Sequence, residues 1–396
     1  MFDAISIRRT QQPLHGTLDL GSLAEAILFY ERVTLLIDRG ALVTLLTTWG
    51  PELTVEMVEG GYLTPLYAHW TTAVLSDTVS GERLHKPTTM RLFTGEHDTY
   101  EHEVRDIWTQ YAGRNGKQRR LRDRFLRVTV PFPPPDGLIE VANADFLDES
   151  YLLSAVPAVL AVVAPTYELP SPLEFRPEPR GDELISVQTN LDFDAIARAQ
   201  DEARPTSEPD PWTVAHTLSE IFGATTDLQV GATLETATLG SDLASQLIQL
   251  RTSAALSSTG PRSQIERFQH FAFDDGRDIR GVLNSGERTM REFKLILDRS
   301  RDFRTWLHTR PDDADLAREY LRASLKGSWA ERLPAKAIRW AVMTALAIGA
   351  PDPIALPAGI GAMDMFLVNK MAAGWRPSQF VEARLSPFVA KRKRGG

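Results

Sequence analysis

The sequence predicts a mixed α/β protein, with a short buried sheet in its amino-terminal part and helices alone in its carboxyl-terminal part. Three observations carry that expectation. Val33 to Ile37 is a continuously apolar run, the pattern of a strand covered on both faces, and it ends at Asp38 and Gly40. Tyr62 to His69 has a strand-like pattern after two short helical stretches, Ala41 to Trp49 and Leu53 to Val58, split by Gly50-Pro51, so the whole reads as a β-helix-helix-β crossover. From Trp212 onward apolar residues recur at helical spacing, with no convincing strand.

The remaining elements follow in chain order. Ser22 and Glu25 stand at capping-box spacing before a helix with Leu23, Ala26, Ile27 and Tyr30 on one face. Thr72 to Val79 and Thr88 to Phe93 read as strands around the turn residues Ser80-Gly81-Glu82. Glu96 to Arg127 is polar but keeps Val104, Ile107, Trp108 and Tyr111 at helical spacing, with a break at Arg114 to Lys117. Ala144 to Val163 reads as a buried helix that kinks or stops at Pro157.

Pro165 to Pro179 is punctuated by proline and reads as an extended connector, followed by a strand-like piece, Leu184 to Leu191. The expected organisation is therefore a mixed domain over 1–165, a connector over 166–211 and an all-helical domain over 212–396. In the last, Met290, Phe293, Leu297, Phe303 and Leu307 predict one long amphipathic helix, with Asn284 and Glu287 at capping-box spacing before it. An apolar hairpin over 338–373 ends the domain.

Composition excludes some chemistry. The chain has 396 residues, 43% hydrophobic and 24% charged, which is ordinary globular usage and argues against wholesale disorder. Its net charge of -8 disfavours a general nucleic-acid binder. With no cysteine there is no disulfide, no thiolate-ligated metal and no thiol nucleophile. The first residues show no basic segment followed by an apolar one, and no run of 18 or more uncharged apolar residues occurs, so the expectation is a soluble cytoplasmic protein. Phosphate-loop, nucleophile-elbow, zinc-protease and EF-hand motifs are absent, and no cofactor is expected.

Several residues remain as candidates. Asp38 lies just past a buried strand, where open α/β sheets place ligand-binding groups; the alternative is that it caps the next helix. His97, Asp98, His102 and Glu103 share one acidic stretch, and Asp98 and His102 stand at i and i+4, a spacing that holds a divalent metal only with further ligands. Arg114, Lys117, Arg119, Arg120, Arg122 and Arg124 form a basic cluster able to contact phosphate or another anion. The apolar hairpin, with Met363, Met365, Phe366, Trp375 and Arg376, suits a buried core, a partner contact or a membrane surface.

The blocks LDLGSLAEAILFYERV (18–33), SGERTMREFKLILDRSRDFRTWL (285–307) and AMDMFLVNKMAAGWRPSQFVE (362–382) resemble segments shared by a group of uncharacterised bacterial proteins with no assigned function. That resemblance implies no activity and transfers no site residues. The function expected from the sequence is a non-enzymatic interaction or regulatory protein that engages a protein partner or its own copy. A membrane-acting effector using the 338–373 hairpin, and a metal-dependent phosphate-ester hydrolase, are the alternatives.

Overall fold

The computed structural model describes residues 3–8, 18–91, 99–181, 183–203, 211–252, 269, 278–309 and 377–390. The protein is mixed α/β, and its contacts divide it into two compact units, one of Ala4–Asp19 with Val33–Ser257 and one of Met1–Asp3, Leu20–Arg32 and Ser258–Gly396.

The first unit holds two sheets. Strands β1 (Ala4–Ile7), β2 (Arg32–Ile37), β3 (Thr64–Tyr67), β6 (Val130–Pro131) and β9 (Ala237–Leu239) form one, in the order β6-β3-β2-β1-β9, with β1–β9, β2–β3 and β3–β6 parallel. Val33, Leu35, Leu36 and Ile37 are buried, as a strand covered on both faces requires. Pro65 lacks a donor, and β3 accommodates it because its pairing with β6 begins only at Leu66. Helix α2 (Arg39–Thr44) continues through a π-helical turn (Leu45–Trp49) and is followed by α3 (Pro51–Glu59), which completes the crossover between β2 and β3.

Strands β4 (Trp70–Val79), β5 (Glu82–Arg91), β7 (Phe175–Pro179) and β8 (Ile185–Thr189) form an antiparallel sheet in the order β4-β5-β8-β7. Ser80 and Gly81 both have positive φ, 53° and 85°, the backbone that a two-residue hairpin loop demands. Helices α4 (Tyr100–Tyr111) and α5 (Gly116–Val128) then lead to β6, with the break where Arg114 to Lys117 predicts it. Helices α6 (Leu138–Leu147), α7 (Glu149–Val163), α8 (Phe193–Ala203), α9 (Val214–Leu234) and α10 (Asp242–Thr252) complete the unit. Trp70 and Val74 of β4, Phe146 of α6 and Phe222 of α9 belong to one buried cluster, in which the two phenylalanine rings meet edge to face at 6.2 Å.

In the second unit, α1 (Leu20–Phe29), α11 (Ile279–Asn284), α12 (Met290–Leu297) and α13 (Arg301–His308) pack with a carboxyl-terminal segment of α14 (Pro377–Phe380), a π-helical turn (Val381–Leu385) and α15 (Ser386–Val389). A side chain at Gly21 would meet the Arg280 carbonyl at 2.5 Å, so glycine permits the close approach of α1 and α11. The exposed carbonyls at the end of α1 are capped in trans: Arg304 donates to the Tyr30 carbonyl at 3.0 Å and His308 Nε2 lies 3.1 Å from that of Phe29. Arg288 ties down the end of α15, donating to the carbonyls of Phe388 at 2.7 Å and Pro387 at 2.9 Å.

Several elements differ from the sequence expectation. The proline-rich connector contains β7, an edge strand in which Pro177 and Pro179 are tolerated because a sheet edge leaves alternate N–H groups unused. The region after Trp212 contains β9, which pairs with β1 in the parallel sheet, so α9, β9 and α10 belong to the sheet unit. The long helix over 290–307 is two helices, with Thr289 and Glu292 forming the capping box in place of Asn284 and Glu287. Ser22 lies inside α1, and Glu25 instead accepts the Arg280 N–H at 3.0 Å. The stretch 144–163 breaks at Asp148, where α6 and α7 meet at 91°, and α7 runs through Pro157. The Asp148 side chain forces that break by capping α7, accepting from Tyr151 N at 3.0 Å.

Candidate functional site at the carboxyl edge of the parallel sheet

Residue Ile37 pairs with Tyr67 at the carboxyl ends of β2 and β3, so Asp38 and His69 emerge side by side from the same sheet edge. The Asp38 side chain, 8% exposed, accepts from Ala41 N at 2.8 Å and so caps α2. The first turn of α4 closes over this edge, begun by Thr99, whose hydroxyl accepts from His102 N. Glu103 in that turn is 3% exposed, with Oε2 3.7 Å from His69 Nε2. Tyr67 is fully buried and its ring lies 5.9 Å from that of Tyr100, whose hydroxyl donates to the Thr129 carbonyl at 3.3 Å.

The electrostatics of this cluster are unusual for a core. The Glu103 carboxyl and the Tyr67 hydroxyl are both buried, and each acts on the other through a side-chain hydrogen bond. Burial pushes the Glu103 carboxyl above its ordinary range, an effect that Tyr67, His69 and Arg39 oppose and Asp38 reinforces. Burial likewise raises the Tyr67 phenol, and the neighbouring Glu103 raises it further. The edge thus places a buried carboxyl beside an imidazole, a phenol and a guanidinium.

No protein family matches the chain, and no curated protein or solved structure matches it. Function is therefore read from this geometry.

Among the sequence candidates, Asp38 lies at the edge, and its carboxylate is committed to the helix cap. His102 pairs with Asp106 at 3.4 Å on the exposed face of α4, while His97 and Asp98 lie outside the described residues. Among the described residues no group of three His, Asp or Glu side chains is placed to share a metal ion.

Five residues of the basic cluster lie on α5 and Arg114 lies just before it; carboxylates pair with three of the six. Lys117 pairs with Glu52 at 2.7 Å, Arg122 with Asp123 at 2.7 Å, and Arg124 Nε donates to Glu59 at 2.9 Å. Arg114, Arg119 and Arg120 are exposed. Met363, Met365, Phe366, Trp375, Arg376 and the whole 338–373 hairpin lie outside the described residues. Among the described helices, no single one is long and apolar enough to cross a membrane.

The sequence names Glu103 only within the acidic stretch of His97, Asp98 and His102, whose dense charges favour a solvated helix face. One signal was available: on a helix, Glu103 shares the apolar stripe of Val104, Ile107 and Trp108, where a carboxylate is out of place. Nothing local marks Tyr67 or His69.

Proposed function

We propose that the chain is a cytosolic regulatory protein that binds a small donor-rich ligand, an amine or guanidine, at the carboxyl edge of its parallel sheet. The supporting observation is the buried Glu103 carboxyl, set between Tyr67 and His69 with no ion-pair partner closer than the His69 imidazole at 3.7 Å among the described residues. In open α/β sheets the carboxyl ends of the strands are where ligands bind, because loops there splay apart and helix amino termini converge. An ammonium or guanidinium group would add a charge-assisted partner to Glu103 and favour the ionised carboxylate over the neutral acid.

The test is thermal unfolding of the full chain with methylamine, agmatine or spermidine at millimolar concentration, against acetate and phosphate as matched anions. One or more of the cations is expected to raise the melting temperature saturably, and Glu103→Gln to abolish that response while leaving the protein folded. A wild-type protein indifferent to every cation, or a Glu103→Gln variant that responds equally, overturns the reading.

A further inference from the structure

We infer that β4 is a homodimerisation edge, through which two copies of this chain join their antiparallel sheets into one. Among the described residues strand β4 terminates its sheet, and its ten residues run in unbroken register with β5 from Trp70↔Arg91 to Val79↔Glu82. In a hairpin closed by a two-residue loop the flanking pair, Val79 and Glu82, is hydrogen-bonded, so the odd-numbered residues of β4 bond to β5 and the even-numbered ones direct N–H and C=O outward. Consistent with this, the Thr78 N–H takes a local partner, Asp77 Oδ1 at 2.8 Å. Among the described residues Thr72, Val74 and Ser76 make no hydrogen bond through that outward side.

The two edges of this sheet are treated differently. Strand β7 carries Pro177 and Pro179, which remove donors and block strand addition, alongside the charged Arg176 and Glu178. Strand β4 has no proline, lysine or arginine and no bulge; its one charge is Asp77, and Leu75 and Val79 are 51% and 50% exposed. A long, regular, nearly uncharged edge of this kind associates unless it is protected.

Its residue pattern fits a second copy of itself. An antiparallel two-fold at Leu75 sets Leu75 against Leu75 of the other copy, with Ala73 opposite Asp77 and Thr72 opposite Thr78. In that register the even-numbered residues fall in hydrogen-bonded pairs, the two exposed leucines bury each other, and the two Asp77 carboxylates stay four positions apart. A two-fold at Asp77 would oppose like charges, which is unfavourable. The united sheet would have eight strands, within the ordinary range.

The absence of cysteine from the chain permits a clean test. In this register Leu75 forms a non-hydrogen-bonded pair with its own copy, Cα atoms about 4.5 Å apart, within disulfide reach. The two Asp77 Cα atoms are separated by four residues of strand, about 13 Å, and are out of reach. Purified Leu75→Cys is expected to oxidise to a covalent dimer at least tenfold faster than Asp77→Cys. The wild-type chain is expected to scatter light as a dimer, and Thr78→Pro, which removes an outward donor at an exposed position, to weaken dimerisation at least tenfold without lowering the melting temperature of the monomer. A wild-type monomer at tens of micromolar, or equal oxidation at both positions, overturns the proposal. The proposal is independent of ligand binding: Glu103→Gln leaves the cross-linking rate unchanged if it is correct.

Discussion

The two sheets of the first unit differ in where they bury polar side chains and where they leave backbone open. In the parallel sheet the strand β2 is sheathed in apolar side chains, and at the carboxyl end of β3 the buried Glu103 and Tyr67 lie beside His69. In the antiparallel sheet one face packs on α9 through Trp70 and Val74, while the outer half of β4 is exposed on both faces and keeps an open edge. The difference follows from connectivity. Parallel strands need crossovers that cover the sheet and concentrate function at its ends, whereas a hairpin extends beyond the body and offers its side. One sheet therefore presents a point for a small ligand and the other a line for a chain.

The sharpest way to break this comparison is to remove the packing that gives β4 its buried face. Phe222 is fully buried against Phe146, so Phe222→Ala is expected to cost about 3–5 kcal/mol of unfolding free energy in chemical denaturation. A loss below about 1 kcal/mol would mean that the hairpin does not depend on α9 for support.

A smaller effect tests the other sheet. Because burial raises the folded-state pKa of Glu103 above its ordinary 4.5, the folded protein holds that proton more tightly than the unfolded chain. The resulting stability is fully present below about pH 4.5 and is lost as pH rises through the raised folded value. Glu220 acts with the same sign, pushed up to about 7 by burial and by Asp227 against the opposing Arg8, which itself pairs with Asp227. Glu103→Gln is expected to flatten the decline of stability with pH and to gain about 1–2 kcal/mol at pH 8, read from denaturation curves across pH 4 to 8. An unchanged pH slope would place Glu103 in contact with water.

The smallest effect separates capping from binding at Asp38. Asp38→Ala is expected to cost about 1 kcal/mol, with most of it restored by Asp38→Asn, since either side chain can accept from Ala41 N. Should Asn fail to restore stability, the negative charge of Asp38 would count for more than its cap.

Elements with a local chemical cause were legible in the sequence: β2 from its apolar run, the turn at Ser80-Gly81, and the gap between α4 and α5 from Asn115-Gly116. The first half of β5, which starts at Glu82 and not at Thr88, was not. Asn115 caps α5 by accepting from Gln118 N at 2.9 Å, a short-range act that any reading of turn residues detects. Strand β7 was illegible because proline is evidence against a strand unless the strand is known to lie at an edge. The break between α12 and α13 was hidden because the apolar spacing continues across Asp298 to Ser300. The candidate site was half visible, through Asp38, because its other members come from β3 and α4.

The sequence by itself determined the mixed class, most element positions and the exclusion of thiol chemistry, since propensity, capping and periodicity act over a few residues. Only the tertiary structure decided which strands meet. Ser6 Oγ reaches the Ala237 carbonyl across 231 positions, at 3.3 Å, and no local pattern encodes that pairing. The same holds for the burial of Glu103 against Tyr67 and His69. A carboxylate's environment is set by the segments that pack over it, and burial pushes the carboxyl of an ordinary charged helix residue above its usual range at the sheet's edge.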